Sequence, residues 1–232
     1  MSKVLEKTIV IRKVGAEDII MMSLPTERFH NSIPSHYAPP VNDKSLYQVA
    51  LLAQVCKSNS FNNHETGGTD EMHFWLQVAS SNADMRVKGA DIMLPSMHWF
   101  ALACATKNVT ARNYLQKFGF SPKSLQKIDL QQHGGALAFP DGGHIDWTIK
   151  GPGKALPHIG INHAIFVAEN KQNAIGHHIT ALLSDTIMQQ PGIIHIQTAA
   201  MEPFLLEGER ISAVVNRVSY LKANVVWQEC PK

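Results

Sequence analysis

The sequence predicts an α+β protein. Strand-like and helix-like segments follow one another along the chain, and the last third, residues 158–231, runs strand, helix, antiparallel meander, an order in which one sheet can wrap one helix. With 44% hydrophobic residues in a chain of 232, a packed core is within reach of one large domain or two small ones. The charge balance of 21 Lys+Arg against 19 Asp+Glu, with no block of either sign, excludes a nucleic-acid footprint. No apolar run approaches the ~18–20 residues of a membrane span, so a cytoplasmic protein without membrane contact is expected. The three cysteines, Cys56, Cys104 and Cys230, match neither a disulfide framework nor a CxxC site. The twelve histidines lack HExxH or HxH spacing, so no metal is expected.

Each element has its own signal. Residues 7–11 and 19–24 look like short strands, followed by a proline-rich loop over 25–40. Asn42 or Asp43 can cap a helix over 44–57, because Leu46, Val49, Ala50 and Ala53 recur at i, i+3, i+4 and i+7. Met72, Phe74, Leu76 and Val78 alternate with His73, Trp75 and Gln77, the period of a half-buried strand. Ser96 caps a helical stretch to about Phe118, with a break near 106–108. Residues 131–154, with Gly134, Gly135, Gly142, Gly143, Gly151 and Gly153, read as a Gly-rich connection between an N-terminal α+β half (1–130) and a C-terminal half (155–232). In the latter, Ile159, Ile161, Ile165 and Val167 mark a strand and residues 175–189 a helix stopped by Pro191-Gly192. Strands follow over 193–206, 210–221 and 225–229, with turns at Glu207-Gly208 and at 222–224.

The C-terminal punctuation resembles the hot-dog superfamily, in particular the phenylacetate-pathway type of acyl-CoA thioesterase. The residues that carry the resemblance are Asn173-Ala174-Ile175-Gly176-His177-His178, the pair Asp185-Thr186, and the run from Glu202-Pro203 to Glu207-Gly208-Glu209. The family's His-Gly-Gly is replaced by His177-His178-Ile179. The N-terminal half resembles the A-factor synthase-like branch through Pro34-Ser35-His36-Tyr37 and Pro40-Val41-Asn42, with Gln54 near that branch's helix Gln and Ala50 in place of its helix Glu. The resemblance implies an antiparallel sheet wrapped around a central helix, in a single or tandem hot-dog, and a homodimer. It implies an acyl-CoA or acyl-carrier-protein ligand, with coenzyme A or phosphopantetheine as part of the substrate and no separate cofactor.

The chemistry so implied is thioester hydrolysis. Such a hydrolase needs an electropositive spot for the carbonyl oxygen and a carboxylate to deliver water. The expected catalytic residues are Asp185, His178 and His36; Asn173, Gly176, His177 and Gln54 are expected to bind substrate, with Gly176 at a helix start supplying free amides. On one helix His178 and Asp185 would stand ~10 Å apart along the axis, too far to share a proton directly. The alternatives are β-ketoacyl transfer or dehydration on the same fold, a non-catalytic acyl-binding scaffold, and a metal-dependent enzyme of paired βαβββ modules opening at Ile161-Asn162-His163, for which His195 and Glu229 could be ligands. Asn108, Ala111, Tyr114 and Phe118-Gly119-Phe120 imitate a GNAT-type acetyltransferase helix, but the loop-like Gln131-x-x-Gly134-x-Ala136 follows it, whereas in that family the loop comes first.

Overall fold

The computed structural model describes residues 8–33, 37–38, 45–61, 64–65, 67–80, 98–117, 120–156, 164–167, 174–183 and 187–229. Among them are fifteen strands and one α-helix. The first half holds β1 (Thr8–Pro25), β2 (Tyr37–Ala38), β3 (Leu46–Phe61), β4 (His64–Glu65), β5 (Thr69–Ser80), β6 (His98–Thr106), α1 (Val109–Lys117) and β7 (Lys123–Ser124). The second holds β8 (Lys127–Gln131), β9 (Gly134–Ala138), β10 (His144–Ile149), β11 (Lys154–Leu156), β12 (Ala164–Val167), β13 (Ala174–Leu183), β14 (Ile187–Gln197) and β15 (Arg210–Glu229).

The expectation of a helix wrapped by a sheet is overturned. In the ranges 44–57 and 175–189, both read as helices, residues 46–57 lie in β3, 175–183 in β13 and 187–189 at the start of β14. The physical reason is visible in β3. Tyr47, Val49, Leu51 and Ala53 are buried in one apolar cluster and Ala50 and Leu52 in another, so the strand is apolar on both faces. A run that is apolar throughout satisfies the helical spacing as readily as the strand spacing. Residues 8–11 and 19–24 belong to one continuous strand, β1. Of the helix expected over 96–118, residues 98–106 are instead the strand β6, and only the part after the expected break, residues 109–117, is helical, as α1. The strand read at Met72 to Val78 is β5, but it is buried on both faces rather than one. Gly208 turns at φ +79 just before β15 begins at Arg210, where a turn was expected; β15 then runs through 222–224 without one.

Pairing proceeds in the order β7-β6-β5-β3-β1-β15-β14-β10-β9-β8, all antiparallel except β6 with β7. From this row two rings form. β13 branches from β15 and carries β12 back to lie against β6, so β6, β5, β3, β1, β15, β13 and β12 follow one another around the first ring. At the other end β8 returns across β3, β1 and β5, and with β15, β14, β10 and β9 closes the second. The shared strands β1, β3 and β5 therefore turn their two faces into two different enclosures. The segment 131–154, read as a connection, contains β9 and β10. Its Leu137, Phe139, Ile145 and Trp147 pack with Ile20, Leu51, Phe74, Ile194 and Val215 in the second ring's core, which draws on both halves of the chain. The opposite faces of β1, β3, β5 and β6 carry the smaller cluster of Ile11, Ile19, Leu52, Trp75, Trp99 and Cys104, which includes Ala111, Tyr114 and Leu115 of α1.

Candidate active site

Polar side chains interrupt this smaller apolar face, and strand register brings them together. Residues at i, i+2 and i+4 of a strand share a face, so Lys13, Gly15 and Glu17 of β1 look into the first ring. Glu17 stands opposite Gln54 of β3, Gln54 opposite Glu71 of β5, and Glu71 opposite Thr106 of β6. The neighbouring rows run Gly15, Cys56, Thr69 and Ile19, Leu52, His73, Cys104. Directly opposite residues are close enough for side-chain contact, which makes a lattice of ionisable groups across three strands. Gly15 stands at a register shift between β1 and its neighbours.

The lattice is buried and hydrogen-bonded. The Lys13 Nζ donates to Glu71 Oε2 at 2.7 Å and to Gln54 Oε1 at 3.1 Å, with the Lys13 and Glu71 side chains 6% and 0% exposed. Gln54 Nε2 donates to Glu17 Oε2. An ammonium has donors only, so Lys13 fixes which end of the Gln54 amide faces it and turns the amide N–H toward Glu17. On the other side Thr69 Oγ1 donates to Glu71 Oε1 at 2.7 Å, Asn59 Nδ2 donates to Thr69 at 2.5 Å, and His73 Nε2 lies 3.1 Å from Glu71 Oε2. Tyr114 enters from α1. That helix is capped by Asn108, whose Oδ1 accepts from Ala111 N at 3.1 Å, and is held by Arg112 to the Thr106 and Pro122 carbonyls.

Burial and charge move these groups apart in acidity. Burial opposes ionisation of Glu71, but Lys13 and His73 outweigh it and hold its carboxyl well below the usual range. Burial works against the charge of Lys13 too, and Glu71 overcomes it, raising the amine so that it stays an ammonium. Glu17 goes the other way: burial pushes it up to about 7, against the Gln54 bond and Lys13. Burial lowers His73 despite Glu71, leaving a neutral ring, and pushes the Cys56 thiol up to about 12. Burial first and then Glu71 raise the Tyr114 phenol well above its ordinary value. At neutral pH the described residues of the lattice hold one ammonium, one firm carboxylate and one carboxyl balanced between its two forms.

Of the residues expected from sequence, Gln54 lies in this lattice, on a strand rather than a helix. Gly176, His177 and His178 lie on β13 opposite Gln228, Trp227 and Val226, so no helix start places the Gly176 amides at a substrate oxygen and no common helix relates His178 to Asp185. His36, Asn173 and Asp185 lie outside the described residues. Lys13, Glu17, Thr69, Glu71, His73 and Tyr114 were missed by sequence reasoning. Their signal was ionisable residues at alternate positions within strands too apolar to have a wet face. Among the described residues no group of three or more His, Cys, Asp or Glu is placed to hold a metal ion, and no helix is long and apolar enough to cross a membrane.

No family model matches the chain, and no curated protein matches it in sequence. Solved structures do match in fold. An acetoacetate decarboxylase superposes with a TM-score of 0.64 at 14% identity, over 94% of this chain and 86% of its own. The acetoacetate decarboxylase of Legionella pneumophila gives 0.61 at 11%, over 95% and 87%. The enduracididine biosynthesis enzyme MppR, complexed with pyruvate, gives 0.60 at 8%, over 96% and 90%. The chain thus has an acetoacetate decarboxylase-like fold, and the hot-dog resemblance is corrected. Thioester hydrolysis, and the transferase, dehydratase and acyl-scaffold readings that rested on the same fold, fall with it. The paired βαβββ alternative fails as well, because such modules alternate helices with strands and the described residues hold one α-helix.

Proposed function

We propose that this chain is an enzyme that takes a small oxo carboxylic acid into the first ring and activates the carbon next to its carbonyl. The observation that carries the reading is the buried Lys13–Glu71 pair, bridged by Gln54 to a second buried carboxyl. Buried ion pairs are poor stabilisers compared with apolar packing, so a cluster of them inside an enclosure, with acidities pushed apart, marks a functional site. Gln54 and Glu71 take two of the three donors of the ammonium, and the third is assigned to the ligand's carbonyl oxygen. As a proton leaves the adjacent carbon for a carboxylate of the cluster, negative charge develops on that oxygen, and a preorganised ammonium in a water-poor enclosure stabilises it. The likeness of fold to acetoacetate decarboxylases and to an enzyme complexed with pyruvate supports this substrate class.

Proton exchange tests the reading. Pyruvate in D2O should lose its methyl proton signal faster with the protein than with buffer alone, and Lys13→Met should slow this by ~10²-fold or more, the scale for removing one charge-stabilising donor. A Schiff base would require the neutral amine of Lys13, which Glu71 keeps protonated, so borohydride added during exchange should leave the protein mass unchanged. Exchange no faster than in buffer for both pyruvate and acetoacetate, or a folded Lys13→Met as active as the parent, would sink the proposal.

A further inference from the structure

Two carboxyl groups in the lattice could receive the substrate proton, and their surroundings are not equivalent. Glu71 is saturated: Thr69 donates to Oε1, while Lys13 and His73 meet Oε2. A carboxylate so well supplied with donors and with a cation is a weak base. Glu17 has Oε2 committed to the Gln54 amide, and no bond to Oε1 is seen among the described residues. It stands on β1 two alternate positions along from Lys13, with Gly15, which has no side chain, between them. The described groups that act on it are Lys13 and Asp18 on β1 and Gln54 on β3, with Cys56 of β3 in electrostatic reach; Glu71 of β5, with His73 and Tyr114 beside it, stands one strand further on, across Gln54. Asp18 is occupied on the other face by Arg217 and Trp147, and Lys13 is the one cation directed at the lattice among the described residues. Among the described residues, one ammonium facing two buried carboxyls leaves one negative charge in excess, and a bound proton is the simplest way to remove it.

Resting on the oxo-acid reading, we propose that Glu17 is the catalytic proton acceptor and Gln54 its positioning residue. The step balances within the site. The C–H bond next to the carbonyl breaks, its electron pair moves into the carbon–carbon bond and the carbonyl pair onto oxygen beside Lys13, and the proton goes to Glu17 Oε1, from which it returns or exchanges with solvent. Gln54 has two effects through one amide. It holds Glu17 in place and, by donating to its oxygen, lowers the carboxyl from where burial alone would set it; both depend on Lys13 pinning the amide's other end. The match of Glu17 to neutral pH, at about 7, is what a base working in neutral solution requires.

The test has a free-protein arm and a turnover arm. In the free protein, carboxyl carbon NMR should show one glutamate titrating near 7, absent from Glu17→Gln and shifted upward in Gln54→Leu, which removes the bond that favours the charged form. In turnover, the pyruvate exchange rate should rise with pH through the same midpoint. It should fall by ~10²-fold or more in Glu17→Gln with little change in KM, recover partly in Glu17→Asp, and move its midpoint upward in Gln54→Leu. Glu17 titrating like a free glutamate, a midpoint unmoved in Gln54→Leu, or Glu17→Gln exchanging at the parent rate would overturn the proposal. A free-protein titration as expected, with no pyruvate exchange by the parent at any pH, would instead reject the substrate class. The assignment of Glu17 as its proton acceptor goes with that class, while Glu17 stands as the lattice's titrating carboxyl.

Discussion

Replacing Lys13 by Met removes the cation from the first ring while keeping much of the side chain's length. Glu71 is fully buried and 2.7 Å from the Lys13 ammonium, so the substitution strands a carboxylate with Thr69, a neutral His73 and the Tyr114 phenol beside it but no cation among the described residues. Removing one member of a buried pair costs about 3–5 kcal/mol. For a chain of this size each kcal/mol moves the midpoint by about 2–4 °C, so Lys13→Met should melt about 6–20 °C below the parent at pH 7.5. Adding Glu71→Gln removes the stranded charge and should restore all but about 1–2 kcal/mol; with Glu71→Gln alone also costing about 3–5 kcal/mol, the coupling between the two positions is at least about 4 kcal/mol. The pH dependence provides a second check. Without Lys13, burial dominates and the Glu71 carboxyl rises above its unfolded value. Its penalty is then absent below the unfolded pKa and grows as pH rises, so the deficit of Lys13→Met should be smaller at pH 5 than at pH 8. Urea denaturation followed by circular dichroism across that range measures both. A Lys13→Met protein within about 1 kcal/mol of the parent at pH 7.5, or equal in stability to the double variant, would refute the buried-pair account.

Glu17 offers a prediction of opposite sign to an ordinary carboxylate: its pKa is raised from 4.5 to about 7, so its contribution is intact below about 4.5 and is lost as pH rises through 7. Glu17→Gln should therefore be more stable than the parent at pH 8.5 by about 3 kcal/mol, from 1.36 kcal/mol per unit, and little different at pH 4.5; parallel stability–pH curves would contradict this. Asp18→Asn should cost about 3 kcal/mol, since the buried carboxylate accepts from Trp147 Nε1 at 2.8 Å and pairs with Arg217 at 2.6 Å, while Arg217 also holds the Gln131, Gln132 and Gly134 carbonyls. Hydrogen exchange should then accelerate in the β8–β9 hairpin before it does in β3. At Gly15 an added Cβ would lie 2.2 Å from the Val55 carbonyl oxygen and 2.7 Å from Cys56 Cα; because both are backbone atoms, Gly15→Ala should lose at least about 2 kcal/mol in the same denaturation assay and disturb Glu17 titration.

Composition, local spacing and turn residues were enough to place some elements from the sequence alone: the strand around Met72 to Val78, the break between β6 and α1, the turn at Glu207-Gly208 and the start of β15 at Arg210. Gln54 was named only through the hot-dog resemblance, which the fold overturns, and on a helix that is in fact β3. Local spacing misread 44–57 and 175–189 as helices, and with them the hot-dog architecture, because strands buried on two faces carry no distinctive period. The double enclosure that buries them is built by pairings such as β1 with β15 and β8 across β3, which join residues far apart in sequence. The site follows the same logic. Lys13, Gln54 and Glu71 come from three strands, and nothing near any one of them in the chain says that the other two stand beside it. Only register, summed over β1, β3 and β5, puts an ammonium, an amide and a carboxylate on one face within reach of one another, and only closure of the first ring takes them out of water, where an exposed Lys–Glu pair would count for little and a buried one sets the acidity of every group around it.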